Sequence, residues 1–168
     1  RTIALWIKTS SNTPILHYGA SDGAGTNFLL QLEGGAVKVN HGATAGFTGG
    51  SGLTDGNWHH VAVTLPTGGD TSDIKLYVDG ALAASGSGST AINTSSGQDV
   101  KLGAYSGNFN GQIDDVRFYT TELNASMISK VYGSGLGDFN RIFVKSAGAT
   151  TITATQFGDS AYAPAVDI

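Results

Sequence analysis

Apolar and polar residues alternate along most of the chain with a period of two, the pattern of strands that bury one face. Ile3, Leu5 and Ile7 alternate with Thr2, Ala4, Trp6 and Lys8. Residues 15–18 read as a short second strand, bounded by polar and Gly-rich stretches. Residues 28–32 and 36–40 flank Glu33-Gly34-Gly35, a hairpin signal. Residues 42–56 are rich in Gly, Thr and Ser, with room for one short strand near Phe47. Residues 58–65 then place Val61, Val63 and Leu65 on one face. Residues 74–78 and 81–84 are joined by Asp79-Gly80, which suits a type I′ turn because both central positions need positive φ. After a polar loop, residues 100–103 and 111–119 supply the last strands of this block.

The period then changes. Between residues 121 and 132, Leu123, Met127, Ile128 and Val131 recur at helical spacing, and Gly133 is positioned to end the helix. A short helix capping a sandwich is the simplest account of that stripe.

Composition agrees with the strand pattern. Of 168 residues, 25 are Gly and 13% are charged, while the 40% that are hydrophobic suffice for a sizeable core. Such a chain favours many short strands joined by turns over long helices. The net charge of −4 and the absence of any Lys/Arg run argue against nucleic acid and other polyanions. Neutral sugars, proteins or a cation remain open as partners. No cysteine is present, so disulfides do not stabilise the fold, although export is not thereby excluded. No run of about 18 apolar residues exists to insert into a membrane. The chain opens directly on a strand, which leads us to expect an excerpt of a longer protein.

Four ordered motifs resemble the laminin G-like, concanavalin A-like domains. They are Asp55-Gly56-Asn57-Trp58-His59-His60-Val61-Ala62-Val63, Leu76-Tyr77-Val78-Asp79-Gly80, the Phe109–Tyr119 stretch containing Gly111-Gln112-Ile113-Asp114-Asp115-Val116-Arg117, and Leu123 with the turn after it. The opening Ala4-Leu5-Trp6-Ile7-Lys8 also fits a strand of that family. The resemblance implies an all-β, antiparallel jelly-roll β-sandwich over residues 1–135, with the family's first strand missing. The family's habit also points to a module cut from a larger secreted or cell-surface protein, and the spacing of the carboxylates leads us to expect a non-catalytic one. Residues 136–168 are set apart: the run "GATTITATQFGDSAYAP" resembles the closing portion of bacterial immunoglobulin-like repeats, so a C-terminal immunoglobulin-like fragment is expected there.

Glycoside hydrolysis is the enzymatic alternative that this fold class raises. It needs two carboxylates flanking the scissile bond, about 5–9.5 Å apart depending on stereochemistry. Glu33 and Glu122 are the only glutamates, and neither has a carboxylate two residues away on its own strand. His59 and His60 are adjacent and so point to opposite sides of a strand, which suits packing or a hydrogen bond rather than joint chelation. Asp114 and Asp115 lie among apolar neighbours and require a backbone amide, an arginine or a hard cation. The resemblance implies that Asp115 is the ligand of a structural calcium, the alternative being a carboxylate bonded to loop amides. Asp22 and Asp138 are acidic loop residues that could assist.

Sugar binding asks for an aromatic platform beside amides. The loop Tyr105-Ser106-Gly107-Asn108-Phe109-Asn110 combines both, with Tyr105, Asn108 and Asn110 as candidate ligand-binding residues. The alternative is a plain turn that tucks Phe109 into the core. The reading that results is a recognition or adhesion module for glycan or extracellular protein in an exported multidomain bacterial protein. A ligand-free structural spacer is the second reading, and a hydrolase the third.

Overall fold

The computed structural model describes residues 1–20, 23–42 and 46–135 of the 168. The immunoglobulin-like fragment expected over 136–168, and the helper positions Asp22 and Asp138, lie outside the described residues.

Ten strands are described: β1 (Thr2–Thr9), β2 (Pro14–Gly19), β3 (Asn27–Glu33), β4 (Ala36–Asn40), β5 (Phe47–Gly49), β6 (Trp58–Thr64), β7 (Lys75–Val78), β8 (Ala81–Ser85), β9 (Lys101–Leu102) and β10 (Gly111–Tyr119). One helix follows, α1 (Ala125–Gly135). The strands form two five-stranded antiparallel sheets, ordered β10-β1-β6-β7-β8 and β5-β4-β3-β2-β9. This is the jelly-roll sandwich that the strand pattern and the motifs predict, with the short strand at Phe47 included.

The inward residues of both sheets meet in one core. Ile3, Leu5, Ile7, Val61, Val63 and Leu76 come from the first sheet, and Leu16, Phe28, Leu30, Leu32, Val37 and Val39 from the second. Two predicted hairpin turns take the expected geometry. Asp79 and Gly80 have φ of 48° and 79°, and Gly34 and Gly35 have φ of 61° and 75°. Asp is among the few non-glycine residues that visit the left-handed region at modest cost.

Strand β1 departs from its half-buried expectation, because its outer face is buried too. Ala4 and Trp6 are 0% and 2% exposed. Helix α1 is the cause: Ile128, with Leu123 and Val131, packs on Ala4, Ala62 and Tyr77 to form a second, outer cluster. Small Ala4 and Ala62 leave room for the helix to come close. Removing the buried Ile128 side chain from water contributes about 2 kcal/mol to holding α1 down.

The helix itself differs from the predicted stripe in two ways. Met127 is 48% exposed and takes no part in the contact. Asn124 caps the helix, its Oδ1 accepting the Met127 N–H at 3.0 Å. Met127 therefore stands at the third helical position, turned away from the sheet, while Ile128 points into it. The helix also continues through Gly133 to Gly135. Gly135 lies against the Trp6 indole, where a Cβ would fall 2.0 Å from Nε1.

Candidate functional site

The site is built from the register of β2 on β9. Leu16 faces Leu102 and His17 faces Lys101 across the pair. Leu16 is wholly inside, so by alternation His17 and Lys101 share the outer face of the sheet. The chain then turns at Gly103, whose φ of 67° suits glycine. Its N–H donates to the Ile15 carbonyl at 2.8 Å, and its carbonyl accepts the Phe109 N–H at 2.6 Å. Ala104 and Asn108 form an isolated bridge, and the Tyr105 N–H donates to the Gly107 carbonyl at 3.2 Å. The result is a tight projection with Tyr105, Ser106 and Gly107 at its tip.

The loop turns Phe109 inward and leaves its other candidate side chains outside. Phe109 turns inward and packs against the main core, as the plain-turn reading expects. Tyr105, 46% exposed, Asn108 and Asn110 stay on the surface. The buried Thr9 ties down the end of the loop, its hydroxyl donating to the Asn110 carbonyl. The Asn110 Nδ2 reaches Ser11 Oγ at 3.5 Å, the outer limit for a hydrogen bond.

The structure adds a residue that the sequence did not single out. The Tyr105 ring stands on the His17 ring, centroids 4.7 Å apart and planes tilted by 37°. His17 is only 8% exposed, yet neither ring nitrogen has a hydrogen-bond partner. Burial, and then the charge of Lys101, push its pKa below the ordinary value. No pattern near residue 17 signals this, because the contact depends on the pairing of β2 with β9.

The groups around His59 are paired with one another, whereas the buried His60 ring nitrogens, like those of His17, have no hydrogen-bond partner. His59 Nδ1 and Nε2 contact Asp79 Oδ2 at 2.9 Å and Asp55 Oδ1 at 3.2 Å. Asp79 Oδ1 also accepts the His60 N–H at 2.8 Å. Burial lowers the His59 pKa, but the bonds to Asp79 and Asp55 outweigh it and the net displacement is upward. Asp55, bonded by the Asn57 amides, is held at about 2. His60 points to the opposite side, as adjacent strand residues should. It is 1% exposed, between Trp6 (5.3 Å) and Tyr132 (5.9 Å), and burial pushes it down to about 4.

The strand carrying Asp114 and Asp115 is irregular, which changes the opposite-faces expectation. Asp115 has φ of 49°, where the β1–β10 register slips between Ala4 and Trp6. The residue is an extra one, inserted as a bulge. Of the partners left open for this carboxylate, the described residues supply the arginine: Arg117 Nε donates to Asp115 Oδ1 at 2.7 Å. Asp114 Oδ1 accepts the Asp115 N–H at 2.8 Å. Calcium needs six to eight oxygen ligands, and a guanidinium in that shell opposes it. Among the described residues no group of three or more His, Asp or Glu is placed to hold a metal ion. The donors at Asp115 do not fit calcium.

A cleft of about 220 Å³ lies elsewhere, lined by Arg1, Tyr18, Val100, Phe118 and Tyr119. Its one cationic side chain, Arg1, already bonds Thr94 Oγ1 at 2.8 Å and lies over the Tyr18 and Phe28 rings. The Tyr105 loop, by contrast, combines an exposed ring with exposed Asn108 and Asn110, over a buried imidazole.

Solved structures resemble this one in fold. Domain 4 of AbnA, an extracellular family GH43 arabinanase from Geobacillus stearothermophilus, solved with arabinotriose, is 21% identical with a TM-score of 0.55, covering 78% of this chain and 65% of its own. The LG4-5 domains of mouse laminin alpha1 are 23% identical with a TM-score of 0.51, covering 68% of this chain and 34% of theirs. Botulinum neurotoxin type C, whose cell entry depends on interaction with two ganglioside molecules, is 16% identical with a TM-score of 0.56, covering 79% and 35%. The chain thus spans under two thirds of each of these chains. No curated protein matches it. The family profile described as the concanavalin A-like lectin/glucanases superfamily, Laminin_G_3, matches residues 1–129, and the chain belongs to that family.

Proposed function

We propose that this chain is a non-catalytic recognition module that binds glycan through the Tyr105 loop, as part of a larger exported bacterial protein. One observation carries the reading: the half-exposed Tyr105 ring is held on His17 with Asn108 and Asn110 beside it, while Phe109 anchors the loop below. A ring held in place loses little entropy when a sugar face stacks on it. Amides alongside can pair with hydroxyls. Neighbours of the same fold that were solved with arabinotriose, or that depend on gangliosides, support a glycan as partner.

The carboxylates support the non-catalytic part. Glu33 is engaged by Lys38 at 2.8 Å and Glu122 by Lys75 at 3.1 Å. Among the described residues, the carboxyls with displaced pKa values, Glu33, Asp55 and Asp70, are all displaced downward by hydrogen bonds. A glycosidase acid needs the opposite displacement.

A glycan array probed with the 168-residue chain tests the reading. Binding by the chain that is lost in Tyr105→Ala and weakened in Asn108→Ala supports it. Silence across the array favours a spacer or a protein-binding module, and release of sugar from a glucan would establish an enzyme.

A further inference from the structure

The outer face beneath Tyr105 has a charge character that the loop alone does not. Reading across the sheet through paired positions, the row is Lys101, His17, Leu29 and Asn40. It contains one cation and no carboxylate. Lys101 is exposed and makes no ion pair among the described residues. Glu33, at the end of β3, is already held by Lys38 at 2.8 Å and by Gln31 at 3.2 Å. Asp99, two residues before Lys101, is exposed and forms no ion pair with it. Exposed Lys101 is therefore paired across the ladder with His17, on whose buried ring the Tyr105 platform rests.

We infer that this face selects a sugar carrying an anionic group, a carboxylate or a sulfate, with the ring on Tyr105 and the anion on Lys101. The inference rests on the glycan-binding reading and narrows its ligand class. A single anion per binding unit fits a chain of net charge −4, which disfavours long polyanions. His17, buried beneath the Tyr105 ring, supports the platform from below, so Lys101 is the group left to meet the anion. Lysine acts here as a point charge, so the carboxylate and the sulfate are both accommodated.

Matched ligands separate the charge from the ring. Lactose, 3′-sialyllactose and 3′-sulfolactose form one set, and galactose against galacturonate another, each titrated into the full chain at low and physiological salt. One charge-assisted contact should make the acidic member bind about tenfold tighter, with the advantage shrinking as salt rises. Lys101→Gln should erase the difference between members, and Lys101→Glu should invert it. Both substitutions lie on an exposed side chain, and circular dichroism confirms that the variants fold. A preference for sialyl but not sulfated ligand, or the reverse, identifies the source of the anion. Equal affinities in the unmodified chain, or an acid preference that survives Lys101→Gln, overturns the inference. Tyr105-dependent binding without acid preference removes this inference and leaves the glycan reading standing. No binding to any of these ligands, with array silence, removes both.

Discussion

The His59 cluster and the Tyr105 loop both place polar side chains at the edge of the same sandwich, yet they end in opposite states. Around His59 nearly every polar group is answered by another: two carboxylates, one imidazole and a backbone amide close on themselves. Around Tyr105 the ring and the Asn108 and Asn110 side chains are exposed, and the buried His17 nitrogens beneath the ring lack hydrogen-bond partners. The stretch richest in titratable residues is therefore a clamp that joins β6 to the β7–β8 turn. The stretch with fewer such residues keeps unused bonding capacity. The recognition site we propose rests on exposed bonding capacity, at Tyr105, Asn108 and Lys101, rather than on the density of reactive side chains.

The sharpest way to break this contrast is to open the clamp. Asp79→Ala removes the acceptor of the His60 N–H and a partner of His59, and puts alanine in a left-handed position. The expected cost is about 3 kcal/mol, read by urea unfolding. A cost under about 1 kcal/mol would mean that the clamp is not structural. Its binding site should persist in the folded fraction, because Asp79 lies on the other sheet from His17.

The two histidines of the clamp region respond to pH with opposite signs. His60 titrates near 4 when folded against about 6.5 unfolded, so the unfolded chain takes up a proton first as pH falls. Stability is then lost between pH ~6.5 and ~4, by roughly 3 kcal/mol in the limit. His59 has the reverse displacement. Its contribution is fully present below about pH 6.5 and fades as pH rises through its raised value. Stability measured from pH 4 to 8 should show the acid loss clearly in the unmodified chain. In His60→Phe the acid limb should flatten, and an unchanged limb would assign the loss to other groups.

A smaller effect on stability separates the Tyr105 loop from the clamp. Tyr105→Ala removes a half-exposed ring and should cost under about 1 kcal/mol, with Phe109 still anchoring the loop. Binding, not folding, should carry the loss. If Tyr105→Ala unfolds the domain instead, the ring is a plug over His17 and the contrast collapses.

What the sequence disclosed follows what short-range physics can encode. Alternation set the strands, and Asp79-Gly80 and Gly34-Gly35 announced turns that need positive φ. It could not disclose that β1 is buried on both faces, since one strand's alternation does not know that α1 will cover Ala4 and Trp6. Helical spacing grouped Met127 with Ile128, but the cap at Asn124 sets the rotation and turns Met127 outward. The candidates Tyr105, Asn108 and Asn110 were legible because they share one loop. His17 was not, because its place beside Tyr105 depends on pairing with residue 101. Asp115 was legible as a carboxylate in need of a partner, while the bulge that hands it to Arg117 depends on register with β1.

The smallest expected effect concerns calcium at Asp115. A cation bound at a hundredfold over its dissociation constant would raise stability by about 2.7 kcal/mol. The carboxylate is instead bonded to Arg117 at 2.7 Å, and a divalent ion entering there would have to displace or oppose the guanidinium. Melting the chain in millimolar calcium and in EDTA should therefore give curves that coincide. Asp115→Asn should weaken the Arg117 contact equally in both media, by about 1 kcal/mol, because a partly exposed pair contributes modestly. A calcium-dependent rise that vanishes in Asp115→Asn would show that an ion displaces Arg117. The Asp115 bulge would then have the same kind of unused capacity that distinguishes the Tyr105 loop.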